Sequence, residues 1–301
     1  MIPAVAAYAG LGLEDRDRTP VLMGILNVTP DSFSDGGQYS SSVASAVQHA
    51  KLMVEEGASI IDVGGESSRP GAAAVSEHEQ LARILPVVRA LRDELPAHIA
   101  LSIDTRATPV AAQAIAAGAS IINDISGGVA PGMLALAAAH DVGIVLMHMQ
   151  GTPDTMQQQP HYHDVVGEVL DYLLQRAMLA ESAGIRRSRI LLDPGIGFGK
   201  TRLHNLALLY ALPRFVATDY PMLLGTSRKR FMGAICRESV ASELIGATCA
   251  TTALGVSAGV KVFRVHDVKV NRQALEVAWA IRLVGPEKSI LRGGNREPNL
   301  P

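Results

Sequence analysis

Between residues 21 and 267, an apolar run rich in Val and Ile breaks off into a polar side chain or a Gly-rich loop about eight times. The run 21–26 leads into Asn27, 59–63 into Gly64 and Gly65, 99–103 into Asp104, and 121–122 into Asn123 and Asp124. The run 144–147 stops at His148, 190–192 at Asp193, 222–224 at Gly225, and 260–263 at Arg264, Val265 and His266. Short apolar runs without strict alternation are what strands buried on both faces require, as in a parallel sheet. Between them lie Ala- and Leu-rich stretches at helical spacing, over residues 42–56, 77–95, 108–117, 133–140, 164–183, 203–212, 238–257 and 269–283. This alternation predicts an α/β fold, the (β/α)8 TIM barrel, whose functional groups come from the C-terminal ends of several strands. Helix caps and ordinary loop starts would explain two or three polar stops. A succession of carboxylates, amides and cations points instead to one pocket built from many strand ends.

A barrel of this kind occupies about 200–250 residues or more as one unit, so the 301-residue chain is expected to be a single domain. The barrel is expected over 21–284, with 1–20 as an N-terminal extension or barrel-bottom cap. The segment 285–301, rich in Gly, Pro and charge, is expected to be a flexible tail. Hydrophobic content of 48% with only 4% aromatic means a core of Ala, Leu, Val and Ile. A net charge of −2 argues against the cation-rich faces of nonspecific nucleic-acid binders. Cys236 and Cys249 cannot form a disulfide framework and are expected as buried thiols. Residues 1–12 are apolar and contain Ala7-Tyr8-Ala9, but they lack the positive region of a secretory signal. The apolar region 133–147 is interrupted by His140 and Asp141, so no membrane span is expected. A cytoplasmic protein is the reading.

The chemistry follows from the stops. Asn27 with the loop to Gly37, and the loop from Gly64 to Gly71, are long for βα turns and suit covers that close over a substrate. Asp104, Asn123 and Asp193 are expected on nonadjacent strands, facing one cavity. Carboxylates beside an amide suit the edge of a flat heterocycle carrying an amino group and a ring N–H. Arg264 and His266, two residues apart, point the same way and suit phosphate oxygens, with Lys229 one strand earlier. The stretch 195–201 is no phosphate loop, because the first glycine of that pattern falls on Pro194, and its glycines do not fit the dinucleotide pattern. His161 and His163 have no third ligand at zinc spacing.

Taken together, these pieces resemble the dihydropteroate synthases, pterin enzymes of folate biosynthesis, over roughly residues 21–267. The resemblance rests on Gly24-Ile25-Leu26-Asn27-Val28-Thr29-Pro30-Asp31-Ser32-Phe33-Ser34-Asp35-Gly36-Gly37 and on Asp62-Val63-Gly64-Gly65-Glu66-Ser67-Ser68-Arg69-Pro70-Gly71. It continues through Ser102-Ile103-Asp104-Thr105, Ile122-Asn123-Asp124, Met147-His148, Leu192-Asp193-Pro194-Gly195-Ile196-Gly197-Phe198-Gly199-Lys200, Ser227-Arg228-Lys229 and Arg264-Val265-His266-Asp267.

The resemblance implies condensation of 6-hydroxymethyl-7,8-dihydropterin diphosphate with 4-aminobenzoate, giving 7,8-dihydropteroate and pyrophosphate. It implies that Asp104, Asn123, Asp193 and Lys229 hold the pterin, with Met147, Phe198 and Arg264 around it. Phe33, Ser68, Arg69, Pro70 and Ser227 would form the 4-aminobenzoate pocket, which sulfonamides mimic. Asn27, Arg69, Arg264 and His266 would meet the pyrophosphate, Asn27 as a ligand of Mg2+, and Asp35 would help stabilise a carbocation-like transition state. Ser68 stands where family members commonly carry Thr, a methyl worth roughly 1 kcal/mol of contact. A homodimer through outer helices of the later half is implied as well. A pterin-dependent methyltransferase would not need the Asn27 loop, Ser68-Arg69-Pro70 or Arg264 and His266, and a catalytically silent pterin-binding paralogue should have lost loop or phosphate residues.

Overall fold

The computed structural model describes residues 8–28, 39–66 and 75–284. Eight strands form one parallel sheet: β1 (Val21–Asn27), β2 (Ala58–Gly64), β3 (Ala100–Asp104), β4 (Ile121–Asp124), β5 (Gly143–Met147), β6 (Ile190–Asp193), β7 (Leu223–Leu224) and β8 (Val262–Val265). Their order is β6-β5-β4-β3-β2-β1-β8-β7, and a bridge between Leu192 and Met222 joins the two ends into a barrel. The surrounding helices are α1 (Tyr39–Glu55), α2 (Glu77–Glu94), α3 (Thr108–Ala116), α4 (Met133–His140), α5 (Val165–Ser182), α6 (Arg202–Tyr210), α7 (Leu212–Val216), α8 (Arg230–Cys236), α9 (Ile245–Ala258) and α10 (Val268–Val284).

Side chains alternate along each strand, and the two faces have separate partners. Outward residues such as Leu22, Ile61, Leu101, Ile122, Leu146 and Phe263 pack with helix residues such as Ala50, Met53, Ile84, Leu91 and Val256. Inward residues form a second apolar layer low in the barrel: Met23, Ile60, Ala100, Ile121, Val145, Leu191, Leu223 and Val262, one from each strand. Tyr8, Leu11 and Leu13 from the chain before β1 pack on this layer. Fully burying such a side chain stabilises the fold by about 1.5–3 kcal/mol. Two residues further along, five of the eight inward positions become polar, Asp62, Ser102, Asn123, Asp193 and Arg264, beside Ile25, Met147 and Gly225. Buried polar groups cost stability unless partnered, so this layer contributes chemistry rather than core.

Two expected helices differ in the structure. The stretch 203–212 continues into a separate short α7 after Ala211, because Pro213 has no N–H to extend the helical ladder. The stretch 238–257 is not one helix. After α8 the chain turns at Arg237, a one-turn segment covers Ala241–Glu243, and α9 starts at Ile245. Glu238 drives this turn: its N–H donates to the Gly233 carbonyl at 3.0 Å, and its Oε1 accepts from the Val240 N–H at 2.7 Å. The expectation of buried thiols fails at Cys236, which is exposed at the end of α8, and Cys249 is half-buried. No helix among the described residues is long and apolar enough to cross a membrane.

Candidate active site

The strand register places the polar stops side by side. Asn27 pairs with Gly64, Gly64 with Asp104, and Asp104 with Asn123, a single row across β1 to β4. Asp104 and Asn123 therefore stand on neighbouring strands, which corrects the expectation of nonadjacent ones: β3 and β4 are consecutive, and consecutive strands of such a barrel pair. Gly64 keeps the row open, since a Cβ there would lie 3.6 Å from the Asp104 Cβ and 3.7 Å from the Asn27 Oδ1. Asp193 pairs with Met147 across β5 and β6. A Cβ on Gly225 would lie 3.9 Å from both the Arg264 Cβ and the Asp193 Oδ2, so these two flank the end of β7.

Arg264 binds two carboxylates at once. Its Nε donates to the Asp62 Oδ2 at 2.6 Å and its Nη2 to the Asp104 Oδ2 at 2.8 Å. Asn123 donates through Nδ2 to the same Asp62 oxygen at 3.0 Å. The pair responds asymmetrically to burial. Burial pushes the Asp104 carboxyl well up, opposed by Arg264 and reinforced by Asp62 and Asp124. Burial acts on Arg264 in the opposite sense from its neighbours, but Asp62 and Asp104 prevail and hold the guanidinium above its usual value. Arg264 thus keeps its proton, and Asp104 is the member whose charge burial disfavours.

Asp193 accepts from the Gly195 N–H through Oδ1 at 2.7 Å. Burial raises it to about 6, opposed by that amide and by Lys229, Lys200 and Arg264. Lys229 places its Nζ 3.9 Å from the centre of the Phe198 ring. Burial lowers it to about 8, with Arg264 adding to the shift and Asp193 and Asp104 opposing it. Met147 and Phe198 pack with Ile125 and Met156 as an apolar wall beside these groups.

At the rim, Ser227 Oγ lies 2.9 Å from the His266 Nδ1 and accepts from the His266 N–H at 3.1 Å. Burial lowers His266 to about 3, helped by Arg228 and Arg264, so it is neutral at neutral pH. A hydroxyl proton directed at Nδ1 leaves Nε2–H free to donate to an anion. Arg228 grips Asp267 through Nε at 3.0 Å and Nη2 at 2.6 Å, tying the loop that carries Ser227 and Lys229 to the end of β8.

Asn27, Asp104, Asn123, Met147, Asp193, Phe198, Ser227, Lys229, Arg264 and His266 are thus gathered around one barrel mouth. Phe33, Asp35, Ser68, Arg69 and Pro70, with most of the two covering loops, lie outside the described residues. The sequence reading gave no role to Asp62, although a carboxylate inside an otherwise apolar run, two residues before Gly64, was the available signal. It also passed over Lys200, whose buried Nζ donates to the carbonyls of Phe198 at 2.9 Å and His148 at 3.2 Å and lies 3.0 Å from the His148 Nδ1. That amine ties the loop bearing Phe198 to the end of β5.

A mouth of three acceptors, two cations and an apolar wall is what an amino-substituted bicyclic heterocycle with an anionic tail needs. The profile of the pterin binding enzymes matches residues 23–266. The chain belongs to the pterin-binding enzyme family. Within that family it sides with the dihydropteroate synthases. It is 45% identical to the dihydropteroate synthase of Synechocystis sp. over 90% of this chain and 93% of that one. The crystal structure of Yersinia pestis dihydropteroate synthase with a sulfonamide drug complex superimposes with a TM-score of 0.83 at 41% identity, covering 89% of this chain and 96% of that one. The Xanthomonas albilineans dihydropteroate synthase in complex with 7,8-dihydropteroate gives 0.80 at 40% identity, with the same two coverages, 89% and 96%. Membership in this group makes the chain a transferase.

Proposed function

We propose that the mouth of this barrel binds 6-hydroxymethyl-7,8-dihydropterin diphosphate and transfers its pterin-methyl group to 4-aminobenzoate. The observation that carries this reading is the row Asp104–Asn123 facing Asp193, with Arg264 and Lys229 half-buried among them. The carboxylates and the Asn123 oxygen accept from the amino group and ring N–H of the pterin. Lys229 donates to a ring oxygen or nitrogen. Met147 and Phe198 hold the flat faces.

In the reaction, the bond from the methylene carbon to the diphosphate oxygen breaks and its electron pair leaves with pyrophosphate. The aniline nitrogen bonds to the same carbon and loses one proton to solvent. The transition state is loose and carbocation-like, with positive charge spread into the electron-rich dihydropterin and Asp104 close to it. Arg264 and the His266 Nε2–H face the departing negative charge, and groups aimed at developing charge contribute most to such a step. Ser227, placed beside His266, is within reach of the benzoate carboxylate. Phe33, Ser68, Arg69 and Pro70 complete this second pocket and Asp35 steadies the cation in the same reading.

Mg2+ fits the mouth in one way. Asn27 ends β1 half-buried at the rim, its Oδ1 beside Gly64 and hydrogen-bonded to no described residue. No group of three or more His, Cys, Asp or Glu among the described residues could form a protein cage. One neutral oxygen suits a metal that keeps its waters and takes its other ligands from phosphates. When bound, the ion supplies charge neutralisation of the pyrophosphate. A homodimer in the cytoplasm is part of the same proposal. Val277 and Ile281 on α10, 61% and 67% exposed, offer an apolar outer face for it.

Asp193→Asn removes a charge-assisted acceptor and should weaken pterin binding by about 1.5–3 kcal/mol, measured by calorimetry. Unchanged affinity would refute the pocket assignment. The pH profile tests it independently. Binding needs Asp104 and Asp193 ionised and Lys229 protonated, so kcat/KM for the pterin diphosphate should rise as pH passes from about 6 to about 7 and fall above about 8. Folding responds in the opposite sense. The raised Asp193 contributes stability that is present below its unfolded value of 3.8 and lost as pH rises through about 6. The depressed Lys229 contributes stability above 10.5 that is lost as pH falls through about 8. The most active window is thus where both site charges weigh against folding, and a bound pterin should stabilise the protein most there.

A further inference from the structure

Asp62 has no contact with the site's expected ligands in the reading above, yet it is the residue on which two of the pterin-facing groups converge. It is 0% exposed and its Oδ2 receives both the Arg264 Nε and the Asn123 Nδ2. From this geometry we infer that Asp62 is a specificity-determining positioning residue, which fixes the Asn123 amide in one orientation and so sets the donor and acceptor order that the mouth presents to the heterocycle. The inference rests on the pterin reading of the site.

The partners of Asp62 Oδ2 decide which amide atom of Asn123 is nitrogen. A carboxylate oxygen that takes a guanidinium N–H is acting as an acceptor, and the Arg264 Nε holds Asp62 Oδ2 at 2.6 Å. The Asn123 atom 3.0 Å away is therefore the NH2 group, and the amide oxygen must face elsewhere. One N–H is spent on Asp62. The second N–H and Oδ1 remain for a ligand, side by side, which complements an exocyclic amino group next to an unprotonated ring nitrogen. Turning the amide over would set its oxygen against the Asp62 carboxylate, so the opposite order is strongly disfavoured. Asn123 is itself 3% exposed and sits in register with Asp104, leaving it little room to answer in any other way.

Asp62 also bears on the carboxylate row. By taking the Arg264 Nε it leaves Nη2 for Asp104, so one guanidinium links the carboxylate that holds Asn123 to the pterin-facing Asp104 on the next strand. An Asn at 62 could donate as well as accept. The Asn123 amide would then be free to turn, and a ligand without the exocyclic amino group would no longer meet an unpaired acceptor.

The test compares binding of the dihydropterin diphosphate and its 2-desamino analogue by calorimetry, in the native chain, in Asp62→Asn and in the double swap Asp62→Asn with Asn123→Asp. A site that leaves a buried acceptor unpaired rejects the analogue strongly, so the native preference should be on the order of 100-fold or more. Asp62→Asn should reduce that preference at least about tenfold, losing more affinity for the amino ligand than for the analogue. The double swap puts a fixed acceptor back at 123, held by the amide at 62, and should restore most of the preference though not all the affinity. A general packing defect would lower both ligands alike, and an unchanged preference in a folded Asp62→Asn would overturn the inference. So would a folded double swap that stays unselective. If the single variant does not fold, the double swap decides by the same criterion. A native chain that binds neither ligand would instead overturn the pterin reading itself, and the inference with it.

Discussion

Arg264→Met is expected to unfold at a markedly lower temperature and to lose nearly all turnover. The substitution leaves Asp62, fully buried, and Asp104 without the guanidinium that joins them at 2.6 and 2.8 Å. Removing one partner of a buried pair destabilises by about 3–5 kcal/mol, because the remaining charge is left uncompensated. Loss of a donor aimed at departing charge should lower kcat by a further 100- to 1,000-fold, on the order seen for single donors of this kind. Arg264→Lys should not rescue either property, since an ammonium cannot span two carboxylates on separate strands as the planar fork does. Thermal unfolding and steady-state kinetics check the two effects separately. Native stability in Arg264→Met would show that the ion pairs carry no net weight.

Gly195→Ala should be nearly as damaging, for a different reason. Gly195 has φ of +66°, and a Cβ there would lie 1.9 Å from the backbone oxygen of His148. The left-handed conformation costs a side-chain-bearing residue about 1–2 kcal/mol, and forcing neighbouring backbone apart costs roughly 1–3 kcal/mol more. The backbone cannot move without moving the Gly195 N–H that holds Asp193, or the loop that carries Phe198. Displacing such groups by about 1 Å can lower catalysis on the order of 100-fold, so KM for the pterin diphosphate should rise with the loss of stability. Gly246→Ala in α9 is the control, since a Cβ there meets nothing within 4 Å and alanine is the better helix former. Equal behaviour of the two variants would show that the close approach at His148 is relieved at no cost.

The barrel was legible because its strands are buried on both faces and end abruptly. Each apolar run 21–26, 59–63 or 190–192 reads as a strand without reference to any other, and its polar terminator marks the mouth. What lay between strands was less legible. The expected stretch 203–212 stopped short of Pro213 and left out the short helix α7 that contains it, and Glu238 supplied a turn that helical periodicity does not register. The neighbouring placement of Asp104 and Asn123 was implied by the fold already read, since consecutive strands of a parallel barrel pair. Asp62 and Lys200 were missed because each acts through other protein groups. Asp62 sits inside an apolar run rather than at its end, and Lys200 closes a stretch that resembles a phosphate loop while its amine points to His148 and Phe198. Position relative to the strand end reveals the groups that face a ligand. Those that hold such groups in place leave at most an oddity such as a carboxylate inside an apolar run, and their role emerges from three-dimensional hydrogen bonding.

The most direct measurement is pyrophosphate release by the purified protein supplied with the dihydropterin diphosphate and Mg2+, with and without 4-aminobenzoate. Release that requires the amine and is matched by formation of dihydropteroate is the expected result. Tight binding of the pterin diphosphate with no amine-dependent release would contradict it and mark the chain as a pterin-binding protein without synthase turnover.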